Sequence, residues 1–229
     1  FYHDMQRYAL GLTAKGVRAG DIVLLALGHD YELLACFWGA ICCGAVPSVL
    51  TYWHPGSDVD VYARKIERLA EAVGARAVVT LPEVYSPINA ALAEMGCLVF
   101  TAQEIATVLV DTVLTLPELE AEQIALLQFT SGTTGKPKAI QFSHRAILDH
   151  VAVTAQAYQI THDGVYVSWL PFYHDMGLIG HIRSLIHGGL LVSMAPQTWL
   201  RKPEMLLKAI HRYGGTMTNM PNFGYDFCA

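Results

Sequence analysis

The apolar positions of this chain switch repeatedly between helical spacing and short unbroken runs. Residues 2–15 carry apolar side chains at helical intervals and meet Gly16, which predicts a helix and its stop. Residues 22–27 are continuously apolar, the pattern of a parallel strand buried on both faces. The same alternation predicts helix 31–43, strand 45–50, helix 58–73, strand 76–80, helix 83–95 and strand 97–101. A less regular, acidic stretch over 102–122 reads as a solvated connection. From Gln123 the rhythm resumes, with strands 124–130 and 139–142 and a helix from about 144 to 158 capped by Ser143. Strand 165–169, helix 177–187, strand 190–194, helix 203–213 and strand 216–219 follow. Strands alternating with helices predict an α/β fold, two successive βα series forming mainly parallel sheets flanked by helices. The expected division is 1–122 and 123–229.

Composition narrows this further. Of 229 residues, 53% are hydrophobic and 15% charged, too apolar and too varied for a disordered, coiled-coil or collagen-like chain. The net charge of −5 leaves no basic footprint for nucleic acid. Five cysteines, odd in number and without a C-x-x-C, argue against a disulfide or zinc framework and for a reducing, cytoplasmic setting. The opening run is amphipathic and has no secretory pattern. Residues 33–53 carry no formal charge and are long enough to span a bilayer. Gly39, Gly44, Pro47 and Ser48 interrupt them, so a buried helix followed by a buried strand is expected instead. The pentapeptide Phe-Tyr-His-Asp-Met occurs at 1–5 and again at 172–176, in different flanks, and reads as coincidence rather than a repeat.

The most informative segment joins two predicted strands: Thr130-Ser131-Gly132-Thr133-Thr134-Gly135-Lys136-Pro137-Lys138. Glycines let backbone N–H groups close on an anion, hydroxyls donate further hydrogen bonds, and ammonium groups balance charge. A polyphosphate needs all three. A Walker A loop is excluded, because Gly132 and Gly135 are too close and Pro137 leads into a strand rather than a helix. A plain polar hairpin remains the structural alternative.

A second segment, Trp169-Leu-Pro-Phe-Tyr-His-Asp-Met-Gly-Leu-Ile-Gly180, follows strand 165–169 and enters a helix. Loops at the carboxyl ends of parallel strands are where open α/β sheets bind ligands. His174 is a candidate for holding a carboxylate or orienting an acyl phosphate; the alternative is a histidine that pins its own loop. His174, His181 and His187 lack carboxylate companions at metal-ligand spacing, Asp175 aside, and no Gly-x-Ser-x-Gly nucleophile is present.

The first segment resembles the phosphate loop of the adenylate-forming superfamily, which includes acyl-CoA synthetases, luciferases and nonribosomal peptide adenylation domains. Ala139 stands where that family usually has Gly. The second segment resembles the superfamily's substrate-gating motif in the form typical of fatty acyl-AMP ligases. Residues 217–228, with Pro221-Asn222-Phe223-Gly224-Tyr225-Asp226, are similar to a further segment of that subfamily. The resemblance covers essentially the whole chain, weakly before Gln123 and strongly after it. It implies ATP-dependent activation of a carboxylic acid, in that subfamily a fatty acid, as acyl-adenylate, with Mg²⁺. The acyl group would pass to a carrier-protein phosphopantetheine thiol; coenzyme A as acceptor and an inactive binding module are the alternatives. It assigns Thr130, Ser131, Gly132, Thr133, Thr134, Gly135, Lys136 and Lys138 to the nucleotide, with Thr134 a candidate Mg²⁺ contact and Lys138 catalytic. His174 would face the substrate carboxylate, and Trp169, Met176, Gly177, Ile182, Asn222, Phe223 and Tyr225 would wall the acyl pocket. In that superfamily the adenine and ribose contacts, a Mg²⁺-binding Glu and a mobile domain with a catalytic Lys lie downstream, so this chain alone is expected to be inactive.

Overall fold

A computed structural model describes residues 1–108, 114–130 and 138–228. The chain separates into two compact units, Phe1–His144 and Arg145–Ala229.

The first unit opens with α1 (Tyr2–Ala14), then β1 (Ile22–Ala26), α2 (Tyr31–Cys42), β2 (Val46–Val49), α3 (Val59–Val73), β3 (Ala77–Thr80), α4 (Tyr85–Leu92), β4 (Leu98–Thr101) and α5 (Ala102–Ala106). The four strands form one parallel sheet in the order β2-β1-β3-β4. Central β1 is buried almost throughout, which is why its run is unbroken by polar residues. Pro47 lies in β2, at the sheet edge, where its missing N–H costs no ladder bond to a further strand. On one side of the sheet, Leu24, Val78 and Val99 pack with Tyr62, Ile66 and Leu69 of α3 and Ile88 and Leu92 of α4. Asp30 caps α2 by accepting from the Leu33 N–H at 3.0 Å, and Asp58 caps α3 by accepting from Asp60 and Val61. Gly74 ends α3 in the left-handed region at φ 61°, a conformation that glycine adopts without a Cβ penalty.

The uncharged stretch over 33–53 resolves as expected. At 12 residues α2 is about 18 Å long, too short for a bilayer, and chain reversal at Gly44 leads directly into β2. Among the described residues no helix is long and apolar enough to cross a membrane. Two differences from the expected elements have local causes. Helix 83–95 is α4 flanked by 3₁₀ turns over Pro82–Val84 and Ala93–Met95. The connection after residue 101 begins with α5, whose N-terminus is a reciprocal capping box between Thr101 and Glu104. That Thr-x-x-Glu signal was legible in the sequence and is absent from the predicted elements.

β5 (Ile124–Thr130) and β6 (Lys138–Ser143) pair as an antiparallel hairpin, an exception to the mainly parallel pattern. β5 runs beside β2, and Phe129 packs on the first unit's core, so the hairpin belongs to that unit.

The second unit contains α6 (His144–Ala157, apart from its first residue), β7 (Val165–Ser168), α7 (Asp175–Ile186), β8 (Leu190–Ser193), α8 (Pro196–Arg201), α9 (Glu204–Tyr213) and α10 (Asn222–Cys228). β7 and β8 are parallel. The expected strand 216–219 is reduced to a single parallel bridge between Tyr166 and Met217. Thr216 explains part of this: its hydroxyl accepts from the Val165 N–H, so a side chain occupies a place in the ladder. Helix α8, not anticipated from the sequence, starts with Pro196 in its first turn and buries Trp199. Val167, Trp169, Leu170, Trp199 and Leu206 form the core here.

Candidate functional site

Within the first unit, the hairpin ends in Thr130 and Lys138. The two residues face each other in register, both exposed, with the Thr130 hydroxyl donating to the Lys138 carbonyl at 3.5 Å. An ammonium group and a hydroxyl at the open end of a hairpin suit a solvated polyphosphate. Ser131, Gly132, Thr133, Thr134, Gly135 and Lys136 lie outside the described residues, so the candidate Mg²⁺ contact at Thr134 does too. Among the described residues no three metal-ligating side chains gather.

In the second unit, the loop after β7 carries the other motif. Helix α7 starts at Asp175, two residues earlier than expected, which makes His174 the residue just before its first turn. His174 has extended backbone angles and is solvent-exposed, and its ring lies 4.9 Å from that of Tyr173. It makes no side-chain cap, so the imidazole projects beside a helix N-terminus, where the macrodipole favours an anion. A substrate carboxylate fits that electrostatic setting.

Gly177 sits at a close backbone contact. A Cβ there would lie 2.3 Å from the Pro171 carbonyl oxygen and 2.9 Å from that of Leu170. Its role in this structure is to let α7 approach its own entry loop. Gly180, one turn later, is similarly pressed against the Tyr166 ring at 2.5 Å from the built Cβ.

The remaining acyl-pocket candidates separate into groups. Trp169 stacks on Trp199, ring centres 3.7 Å apart and planes within 4°. Phe223 tilts against both, at 6.0 and 6.3 Å, and Phe227 stacks on Trp199 at 5.7 Å. Asn222, Phe223 and Tyr225 are exposed on α10, and Met176 is exposed near the start of α7. Ile182 is 1% exposed and lies in the interior, about 12 Å along α7 from His174. The structure therefore gathers Trp169 and Phe223 around a residue the sequence reading missed, Trp199, and sets Ile182 apart from them.

Among the described residues, both indole N–H groups of the stacked pair are buried without a hydrogen-bond partner, as are the Thr218 hydroxyl and the Asn219 side-chain oxygen. Val167 donates to the Met217 carbonyl, so residues 218–219 continue alongside the carboxyl half of β7. Unsatisfied buried groups are uncommon in folded proteins. His181 is buried against Phe172, their rings 5.5 Å apart, and His187 lines a cavity elsewhere in the unit.

The AMP-binding enzyme pattern matches residues 1–228. The chain belongs to the AMP-binding enzyme family. A Mycobacterium tuberculosis protein provisionally named a ligase, Rv1013, is 34% identical over 99% of this chain and 42% of its own length. JamA of Moorena producens, a medium-chain-fatty-acid–[acyl-carrier-protein] ligase, is 29% identical over 93% of this chain and 37% of its own length. Among solved structures, one from a study of fatty acyl-adenylate ligases of E. coli and L. pneumophila is 27% identical with a TM-score of 0.87, covering 99% of this chain and 41% of that one. The chain thus spans about two fifths of the length of these curated relatives. The α/β architecture with its parallel sheet is the one seen in the amino-terminal parts of adenylate-forming enzymes.

Proposed function

We propose that the protein carrying these residues activates a fatty acid with ATP, forming an acyl-adenylate and releasing pyrophosphate. The observation that carries this reading is the Thr130–Lys138 pair at the mouth of the β5–β6 hairpin, which brackets the hydroxyl- and lysine-rich loop. In the proposed reaction the substrate carboxylate oxygen attacks the α-phosphorus, the bond to the pyrophosphate oxygen breaks, and the new acyl–phosphate bond forms. Two anions must meet, so positioning and charge neutralisation dominate. Lys138, with Lys136, Ser131, Thr133 and Thr134, would hold the β- and γ-phosphates. Thr134 would contact Mg²⁺, which supplies further neutralisation when bound. His174 at the N-terminus of α7 would orient the carboxylate, and Trp169 with Phe223 would contact the acyl chain.

A carrier-protein phosphopantetheine thiol is the proposed acceptor. The name of JamA, which describes an acyl-carrier-protein ligase, supports it. The division at 1–122 and 123–229 is proposed only as the order in which the sequence builds its two βα series. A cytoplasmic setting is likewise proposed, from the free cysteines.

The test uses the complete protein. ATP–pyrophosphate exchange is expected with fatty acids, and Lys138→Ala is expected to lower it by about 10²-fold or more, the usual effect of losing one such electrostatic contact. Transfer to holo carrier protein but not to coenzyme A would support the acceptor. Transfer to coenzyme A alone would replace it, and absence of exchange with every carboxylic acid tried would refute the adenylation reading.

A further inference from the structure

A second polar site lies at the opposite end of β7 from the Ser168–Trp169 edge. There a cavity of about 190 Å³ is bounded by the end of α6, the start of β7, the last turn of α7 and the segment around Met217. We propose that this cavity binds a small oxyanion, a phosphate or carboxylate group, through Arg183.

Arg183 is the reason. It is 5% exposed, yet among the described residues it has no carboxylate partner. Its guanidinium carbon lies 5.8 Å from the centre of the Tyr158 ring and 5.4 Å from that of Tyr166, and one N–H donates to the Met217 sulfur at 3.2 Å. A guanidinium stays charged and carries five N–H donors, and a thioether is a weak acceptor. Aromatic faces offset part of the desolvation of a buried cation but supply no counter-charge. An oxyanion held against the guanidinium would supply that counter-charge. His187 also lines the cavity, so its ring reports on what occupies it.

Size limits the occupant. The volume corresponds to about six waters at ~30 Å³ each, below the ~300 Å³ at which pockets for larger ligands begin. A phosphate or a short carboxylate fits that class and a nucleotide does not. Asp163, the one carboxylate on the cavity wall among the described residues, is exposed; its oxygens accept from Thr161 and from its own backbone, which holds its pKa below the usual range. Arg183 follows His174 by about 14 Å along α7, so the site is separate from the proposed substrate loop.

The experiment titrates the complete protein with sodium phosphate and, separately, sodium acetate at constant ionic strength. Binding is read by calorimetry and by the NMR shifts of the labelled His187 ring. A saturable response to phosphate, acetate or both is expected; whichever anion acts identifies the source of the oxyanion. Lys138→Ala is expected to retain it, which separates this site from the phosphate loop. Arg183→Met is expected to weaken binding at least tenfold, and Asp163→Asn to strengthen it by removing a nearby negative charge. The His187 shift in the unmodified protein is the readout that does not depend on how well Arg183→Met folds. No saturable response to either anion, or equal affinity in folded Arg183→Met, would overturn the proposal.

Discussion

Gly177→Ala is the sharpest perturbation of the substrate loop, because the structure fixes the size of the conflict. The added Cβ would sit 2.3 Å from the Pro171 oxygen, and real Cβ atoms essentially never approach another heavy atom closer than 3.0 Å. Backbone must therefore move by ~0.7 Å or more, since the obstacle is a carbonyl and not the end of a flexible side chain. Overpacking of this kind costs about 1–3 kcal/mol. Replacing glycine by alanine within a helix returns at most ~1 kcal/mol of propensity. The net expectation is a destabilisation of about 0–2 kcal/mol. Activity is expected to fall further than stability, because the same shift moves His174, and a displacement near 1 Å can cost about 10²-fold in rate. The assay pairs chemical unfolding with ATP–pyrophosphate exchange at saturating substrate. Leu185→Ala, at an exposed position of the same helix, is the control for helix composition. Wild-type stability together with wild-type exchange in Gly177→Ala would refute the claim that this close approach positions the loop.

Three other outcomes follow from particular contacts. His29 is held to about 4 by burial, which disfavours its charged form. Its folded pKa lies below the unfolded value, so the unfolded chain binds the extra proton, and stability is lost as pH falls from about 6.5 to 4, by up to about 3 kcal/mol. His29→Gln is expected to flatten that part of the stability profile, measured by denaturant midpoints across pH. Burial likewise pushes the Cys36 thiol well above its ordinary range and Cys43 to about 11, so neither is expected to react with iodoacetamide at pH 8 before unfolding, as read by mass spectrometry. Trp199→Ala removes a fully buried indole stacked on Trp169 and is expected to cost about 3–5 kcal/mol in chemical unfolding, with loss of exchange activity on fatty substrates.

Much of the fold is legible in the residue pattern, for reasons that differ along the chain. β1 could be read because a strand buried on both faces leaves an unbroken apolar run, and α3 because its apolar stripe lies between a capping Asp58 and a terminal Gly74. The strand expected over 216–219 has the right composition but forms only one bridge; pairing is a tertiary outcome that Thr216 partly pre-empts through its side chain. Trp199 was missed because α8 is too short to show a period, although its Pro196 marks the start. Arg183 was missed for a deeper reason. In sequence it is an ordinary charged residue near a helix end, and only packing reveals that it is buried between two tyrosine rings.

The Met-Gly-Leu-Ile-Gly part of the second motif separates into chemistry and geometry once its contacts are known. Gly177 and Gly180 are three residues apart, so they share one face of α7. That face meets the Pro171 carbonyl at one glycine and the Tyr166 ring at the other. The spacing therefore encodes how closely the helix lies against β7 and its outgoing loop. The group available for chemistry is His174, exposed at the helix N-terminus that the two contacts hold in position. On this account the residues of the motif are not interchangeable in effect. Substitution at His174 removes a side chain that would face the carboxylate and leaves packing intact. Substitution at either glycine moves the whole helix end, and every group on it, at once.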